Sequence, residues 1–258
     1  MISEDNIIYE QPLSEKIRTF LRLEHIFNLI QHHAHNDSEW DNRLTIINLL
    51  HVVDLLSRSD MRADLIKELE KHSYTLNSLK NNPNANQDRL NSMLDNINEY
   101  LVALRDPSCQ PGNMIKQSEL ITSVKHRSTM PGGSCNFDLP NYHYWLNKPF
   151  QQKLKDINSW LSDLNIIADS LGFVLFVLRN STSPTKETAT SGLYQQPIEP
   201  DMSCQLIRVI LPKDVCYYPE ISGGKHRFTI RFMQQEDIFK RPSQIKDTIE
   251  FELHCCII

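Results

Sequence analysis

The chain has 258 residues, of which 40% are hydrophobic and 23% charged, an ordinary composition for a soluble globular protein. Its formal net charge of −5 argues against a protein-wide basic surface for nucleic acid, so an anion-binding site must be a local patch. Only 7 glycines are present, which favours a helix-rich protein over a barrel or a dinucleotide-binding enzyme.

The sequence predicts a cytoplasmic protein. The N-terminal residues do not pair a basic segment with an apolar core, so we expect no signal peptide. The most apolar run, 166–178, contains Asp169 and is too short to span a bilayer.

The cysteines give no support to a metal or redox motif. None of the six forms a C-x-x-C pair, and reduced, buried thiols are the ordinary interpretation. Cys255 and Cys256 are adjacent on a predicted strand and would point to opposite faces, which argues against a shared metal. We expect no cofactor and no metal site.

The first part of the chain is predicted to be helical. A short extended segment at 7–10 precedes Ser14, which is a suitable N-cap for a helix that runs to about Ala34. Apolar periodicity predicts further helices joined by short loops, so that neighbours pack antiparallel: 44–56 (a buried helix), 61–79, 88–104 and 116–127.

Basic residues occupy one face of the first predicted helix. Arg18, Arg22 and His25 fall close together at helical spacing, either as a solvated face or as half of an anion site. The histidines at 32, 33 and 35 end this helix, where they suit the negative end of the helix dipole better than a metal.

The stretch 123–146 joins the helical part to a later part rich in strands. It carries Lys125, His126 and Arg127, then a turn at 131–133 and an extended segment at 135–139. Four aromatic residues lie in this segment or directly after it, and they serve either as apolar anchors for a partner or as core: Phe137, Tyr142, Tyr144 and Trp145.

The remainder predicts one long helix and then an antiparallel sheet. The helix covers 151–179, with Gly172 as a weak point. A tight turn or bulge at 221–227 includes Lys225, His226 and Arg227. The predicted strands are 186–190, 192–196, 205–211, 228–233 and 248–254.

The fold class is therefore α+β. We expect a helical domain from 13–122 and 149–179. We expect a β-strand domain from 1–12, 123–148 and 180–258.

Catalytic motifs are missing from the sequence. It contains no G-x-S-x-G, no phosphate-binding G-x-x-x-x-G-K-[ST], no G-x-G-x-x-G and no H-E-x-x-H. What remains are local cationic clusters on an acidic chain. Together they suit a peptide that carries carboxylates, although each alone is also typical of a solvated face.

Several segments resemble the ZapD family of cell division proteins. They run in order along the chain: PLSEKIRTFLRLE (12–24), MRADLIKELEKH (61–72), MPGGSCNFDLPNYHYWL (130–146), GLYQQ (192–196), YPEISGGKHRFTIRFM (218–233) and FELHCC (251–256). The resemblance implies a helical domain joined to a β domain, and a symmetric dimer without catalytic activity. It also implies binding of the C-terminal tail of FtsZ and bundling of FtsZ filaments at the division septum.

The resemblance further implies a basic tail-binding cleft that carries Arg22 and His143, with Arg18 nearby. At one position of the cleft a relative has a basic residue where this chain has Glu119. Lys116, Lys125 or Arg127 would supply the missing positive charge. The candidate partner-binding residues are Arg18, Arg22, His25, Lys116, Lys125, Arg127, His143 and Arg227.

FtsZ and a second copy of the chain are the expected partners, and nucleic acid, membrane and small-molecule substrates are not. A generic adaptor that binds peptides or nucleic acid with the same cleft is the alternative. Binding to DNA that weakens steeply with salt would favour that alternative.

Overall fold

The computed structural model describes residues 5–58, 60–83, 85–198, 204–224 and 226–257. Lys225, a member of one predicted cationic cluster, lies outside these residues. The fold is α+β, as predicted. Contacts divide the chain into two compact units. Unit 1 takes in the described residues up to Arg18 and from Leu175 onward, and unit 2 is Thr19–Val174.

Helices make up unit 2, and two of them cross its boundaries. Ser14 accepts a hydrogen bond from the Ile17 amide, which confirms the predicted N-cap. Asp60, Asn86 and Ser118 cap later helices in the same way. In the described residues the α-helices are α1 (Glu15–Ala34), α2 (Glu39–Arg58), α3 (Met61–Ser78), α4 (Gln87–Arg105), α5 (Asn113–Lys116), α6 (Glu119–Arg127), α7 (Pro140–Leu146), α8 (Phe150–Leu161) and α9 (Asn165–Arg179), and a short 3-10 helix (Leu79–Asn81) follows α3.

An arginine links α3 to the end of α4. Arg62 on α3 donates hydrogen bonds to the carbonyls of Leu104, Asp106 and Cys109. The last carbonyls of a helix have no partner within the helix, so a cationic donor stabilises them.

The predicted long helix at 151–179 is wrong in one respect, because it is two helices. A turn at 162–164 separates α8 from α9, and their axes bend by 68°. The Asp163 carboxylate accepts a hydrogen bond from the Met114 amide at 2.9 Å, and Leu164 is fully buried, so the break is held by tertiary contacts. The expected weak point, Gly172, lies within α9.

Among the described residues, no single helix has the length and apolar character needed to cross a membrane. The bent pair of α8 and α9 meets that test only when its two helices are taken together.

The expectation that 123–148 contributes to the sheet is also wrong. The segment 135–139 forms consecutive turns, in which the amides of Asp138 and Leu139 bond back to the Cys135 carbonyl. The aromatic run after Pro140 is the helix α7, since proline suits the first helical turn. Contacts group the whole stretch with the other helices of unit 2.

Unit 1 contains two antiparallel sheets. One has the strand order β1-β4-β8-β2, and the other has β3-β6-β5 with β7 beside β6. The predicted turn at 221–227 is partly wrong, because its first residues complete β5. The strands are β1 (Asn6–Pro12), β2 (Thr185–Ala189), β3 (Leu193–Pro197), β4 (Cys204–Pro212), β5 (Tyr218–Gly223), β6 (Arg227–Gln234), β7 (Ser243–Gln244) and β8 (Ile249–Ile257).

The two sheets share one apolar core. Ile207, Val209 and Leu211 alternate along β4 and face residues of β6 in that core. The rings of Phe232 and Phe251 lie 5.1 Å apart between the sheets. This alternation is the period-2 pattern that the sequence displays.

The opposite face of the first sheet carries a partly buried ion-pair network. The Glu10 carboxylate accepts from both Arg179 and Arg208, each at 2.8 Å. Arg208 also lies 3.5 Å from Nδ1 of His254, whose Nε2 bonds to the Thr182 carbonyl. Burial and the nearby Arg208 charge lower the pKa of His254, so its imidazole is neutral near pH 7.

Candidate functional site

The outer face of α2 exposes three large apolar side chains. Trp40, Leu44 and Ile47 are 73%, 41% and 42% exposed, and their spacing places them on one side of the helix. The prediction of a buried helix at 44–56 is therefore wrong for this face. The inner face does pack into the core, through Ile46, Leu49, Val52 and Val53.

This face is one wall of a groove, which we call the α2 groove. The other wall of its first half is formed by α6 and the turns at 128–134, with Val124 and half-exposed Met130 facing the α2 side chains. We call this part the apolar half, because Trp40, Leu44 and Ile47 line it.

An arginine fixes the turns at 128–134 against α2. Arg43 pairs with Glu39 at 2.8 Å and donates a hydrogen bond to the Ser134 carbonyl at 3.1 Å. Its guanidinium lies over the rings of Trp40 and Tyr142, at 5.8 and 5.3 Å from their centres. A planar, forked side chain makes these contacts together, so Arg43 holds the groove wall in place.

Glycine is required where the wall turns. A Cβ on Gly133 would lie 2.3 Å from the Arg127 carbonyl oxygen, which a real side chain does not allow. Gly132 has a φ of +72°, a conformation that glycine adopts without strain. The Pro-Gly-Gly sequence therefore returns the chain tightly from α6 along the groove.

The second half of the groove is basic and lies between α1 and α2. Arg22 and His25 from α1 face Arg58 from α2, with the apolar side chains of Ile26 and Leu55 between them. We call this part the basic half. His51 and Asp54 line both halves, so the two form one continuous surface along α2.

Charges in the groove are predominantly positive. Among the residues that line it, Asp54 is the one carboxylate, and its Oδ1 lies 3.0 Å from Nζ of Lys125. Both side chains are about half exposed, so this ion pair is weak and exchanges readily with a competing anion. Four cationic side chains line the groove: Arg22, Arg43, Arg58 and Lys125.

The groove brings together three of the eight candidate residues, namely Arg22, His25 and Lys125. Arg18 and Arg227 belong to unit 1, where Arg18 pairs with Glu15 at 3.0 Å and Arg227 is exposed. The other three are exposed in unit 2 but do not line the groove: Lys116, Arg127 and His143.

Two groove cations were missed from the sequence, Arg43 and Arg58. The signal that would have found Arg58 is the helical spacing of Trp40, Ile47, Asp54 and Arg58, which places all four on one face. Arg43 has no such signal, because its role depends on turns that are distant in sequence.

Of the four aromatic residues in the stretch 123–146, two belong to the core and two are exposed. Tyr142 and Trp145 are buried, and the Trp145 indole donates a hydrogen bond to Asp156 at 2.9 Å. Phe137 and Tyr144 are 80% and 70% exposed. Only the second pair is accessible to a partner.

No metal-binding group is found in the part of the chain that the structure describes, where three or more His, Cys, Asp or Glu side chains nowhere converge. His33, from the predicted histidine cluster, is instead hydrogen-bonded to Asp41 at 2.6 Å. That hydrogen bond lowers the pKa of the Asp41 carboxyl.

Comparison with known proteins shows that this chain is similar to a class of cell division proteins. The family model ZapD, described as a cell division protein, matches residues 21–231. A Cell division protein ZapD from Methylococcus capsulatus is 34% identical over 255 residues, which cover 99% of this chain and 100% of that relative. Relatives of the same name from an Azoarcus species and from Coxiella burnetii are 34% and 33% identical, each over 98% of this chain.

The chain therefore belongs to the ZapD family. The matched region includes both halves of the α2 groove and the strands from β2 to β5 with the first part of β6, whereas β1, β7 and β8 lie outside it.

Proposed function

We propose that this protein is a non-enzymatic cell division factor that binds the C-terminal tail of FtsZ and cross-links FtsZ filaments. It acts in the cytoplasm and is recruited to mid-cell at the division septum. The observation that carries the proposal is the α2 groove, which combines four cations with one half-exposed carboxylate and an apolar wall.

The groove suits an extended peptide with carboxylates and large apolar side chains. Arg22 and Arg58 are placed to pair with carboxylates, since a guanidinium offers two parallel donors to each carboxylate. Trp40, Leu44 and Ile47 offer exposed apolar area to the partner's hydrophobic side chains. Both kinds of contact are available along one helix.

The remaining candidate residues have a different role in this proposal. Lys116 and Arg127, which are exposed in the same unit as the groove, attract an acidic tail at a distance and speed its arrival. Such attraction weakens over about 8 Å at physiological ionic strength. Arg18, His143 and Arg227 remain candidate partner-binding residues outside the groove.

Filament bundling needs two tail sites in one particle. A homodimer with twofold symmetry carries two identical grooves. Once one groove holds a tail, the second binds a neighbouring filament at a high effective concentration, so a weak tail contact becomes a stable cross-link.

Sedimentation of FtsZ polymers tests this proposal. The protein is expected to pellet with full-length FtsZ and to increase the pelleted fraction, and to do neither with FtsZ that lacks its C-terminal tail. Equal bundling of the tail-less polymers would refute the tail as the partner. A salt-sensitive complex with duplex DNA, in place of FtsZ binding, would support the adaptor alternative.

A further inference from the structure

Three cysteines lie near the paired ends of β4 and β8, far along the chain from the α2 groove. Cys204 begins β4, and Cys255 and Cys256 lie near the end of β8. Cys204 pairs with Ile257, and after a register shift Leu206 pairs with Cys256. The shift is a bulge, which brings an extra residue of β4 opposite β8.

Cys204 and Cys255 lie on the same side of their sheet. Ile257 faces the same side as Cys255, two residues earlier, because side chains alternate along a strand. Both thiols pack against the core shared by the two sheets, and they are neighbours on that face across the paired ends of β4 and β8. Cys256 faces the other side, is fully buried, and lies near Glu10, Arg179 and Arg208.

The two thiols differ in their chemistry. The hydrogen bond from Cys204 lowers the pKa of Cys255, whereas the same contact and burial raise the pKa of Cys204. Burial raises the pKa of Cys256 to about 12. Cys255 is thus the better nucleophile of the three, and both Cys204 and Cys255 are partly exposed to small reagents.

We propose that Cys204 and Cys255 form a reversible intramolecular disulfide when they meet a small disulfide oxidant, of which oxidised glutathione is the probe. The Cys255 thiolate attacks one sulfur of the oxidant, forming a mixed disulfide and releasing one glutathione thiolate. Cys204 then loses its proton to solvent and attacks the Cys255 sulfur. The second glutathione leaves as a thiolate, and protons from solvent complete both released thiols.

The electrons balance, since two protein thiols are oxidised and one glutathione disulfide is reduced to two thiols. Bond formation requires the two sulfurs to close to about 2 Å. The bulge between Cys204 and Leu206 interrupts the regular pairing next to Cys204, which lets this end of β4 adjust. Excess dithiol reverses the bond.

Peptide mapping of the native protein tests the proposal. The reduced chain is treated with oxidised glutathione and digested without reductant. The expected product links the peptides of Cys204 and Cys255, with the intact mass lower by two hydrogens apart from any glutathionyl adducts at exposed Cys135 and Cys216. Persistent glutathionyl adducts on Cys255, a link to Cys256, or free thiols at both positions would each overturn it.

Two variants separate the chemistry from any effect on folding. Cys256→Ser is expected to form the same link, and Cys255→Ser to form none. In wild type and Cys256→Ser, oxidation should raise the midpoint temperature of unfolding, and dithiothreitol should return it to the starting value. A similar shift in Cys255→Ser would contradict the proposed pair.

Discussion

Nζ of Lys125 on α6 lies 3.0 Å from the Asp54 carboxylate on α2, at the point where the two halves of the α2 groove meet. Asp54 is the one acidic side chain among the residues that line the groove, so it occupies the position that an acidic ligand would compete for. This relationship makes the groove's charge adjustable by a single substitution.

Removing the Asp54 charge is expected to strengthen binding of an acidic tail peptide. Asp54→Asn frees Lys125 and removes a like charge, and we expect a gain of about 0.5 kcal/mol, roughly a two-fold lower Kd, as for an exposed ion pair. Fluorescence anisotropy with a labelled FtsZ tail peptide measures it. Asp95→Asn, on the exposed face of α4, is the matched control. Weaker binding by Asp54→Asn would show that Asp54 orients the site.

Replacing Arg43 tests the wall of the groove. Arg43→Lys keeps the charge but loses the forked contacts to Glu39 and Ser134 and the stacking on two rings. We expect a loss of about 1–2 kcal/mol in the free energy of unfolding and faster amide exchange in 128–135. The control Arg89→Lys on α4 should change neither the stability nor the exchange rate. An unchanged exchange rate in the Arg43 variant would show that Arg43 does not hold the turns at 128–134 in place.

The partly buried ion pairs of unit 1 should be sensitive to loss of their shared carboxylate. Glu10→Gln leaves Arg179 and the more deeply buried Arg208 without a counter-charge, which is expected to cost about 1–3 kcal/mol in the free energy of unfolding. Urea denaturation measures this, and Glu220→Gln, exposed on β5, is the control. A cost below that of the control would mean that solvent already screens both arginines.

The neutral state of His254 predicts a pH dependence of stability. Because its pKa is lowered in the folded protein, the unfolded chain binds more protons, and stability falls as pH drops below about 6.5. His254→Gln should flatten this loss, whereas His35→Gln, exposed at the end of α1, should not. Identical pH profiles for His254→Gln and wild type would contradict the assignment.

Local signals in the sequence were sufficient for most elements of the fold. The Ser14 cap, the apolar periodicity of α3 and α4, and the alternation in β4 each specify structure over a few residues, and these elements lie where predicted. The fold class followed from their order.

Long-range contacts account for the elements that were not predicted. The break before α9 depends on Asp163 bonding to Met114, 49 residues earlier, and no local pattern reports that contact. The strand β5 ends at Gly223, in a sequence that is typical of a turn, and it is a strand because β6 pairs with it.

The candidate site was only partly predictable for a related reason. Clusters such as Arg22 with His25 are visible in one helix, but the groove depends on how α1, α2 and α6 pack. The apolar residues Leu44 and Ile47 matched a buried helix, since hydrophobicity alone does not distinguish a core face from a partner-binding face.

Charge reversal within the α2 groove decides whether this groove holds the FtsZ tail. FtsZ polymers are sedimented with Arg22→Glu, with Arg58→Glu and with Arg89→Glu as a control outside the groove, after circular dichroism confirms equal helix content. Both groove variants are expected to lose bundling while the control retains it. Bundling by the groove variants at the level of wild type would show that the tail binds elsewhere.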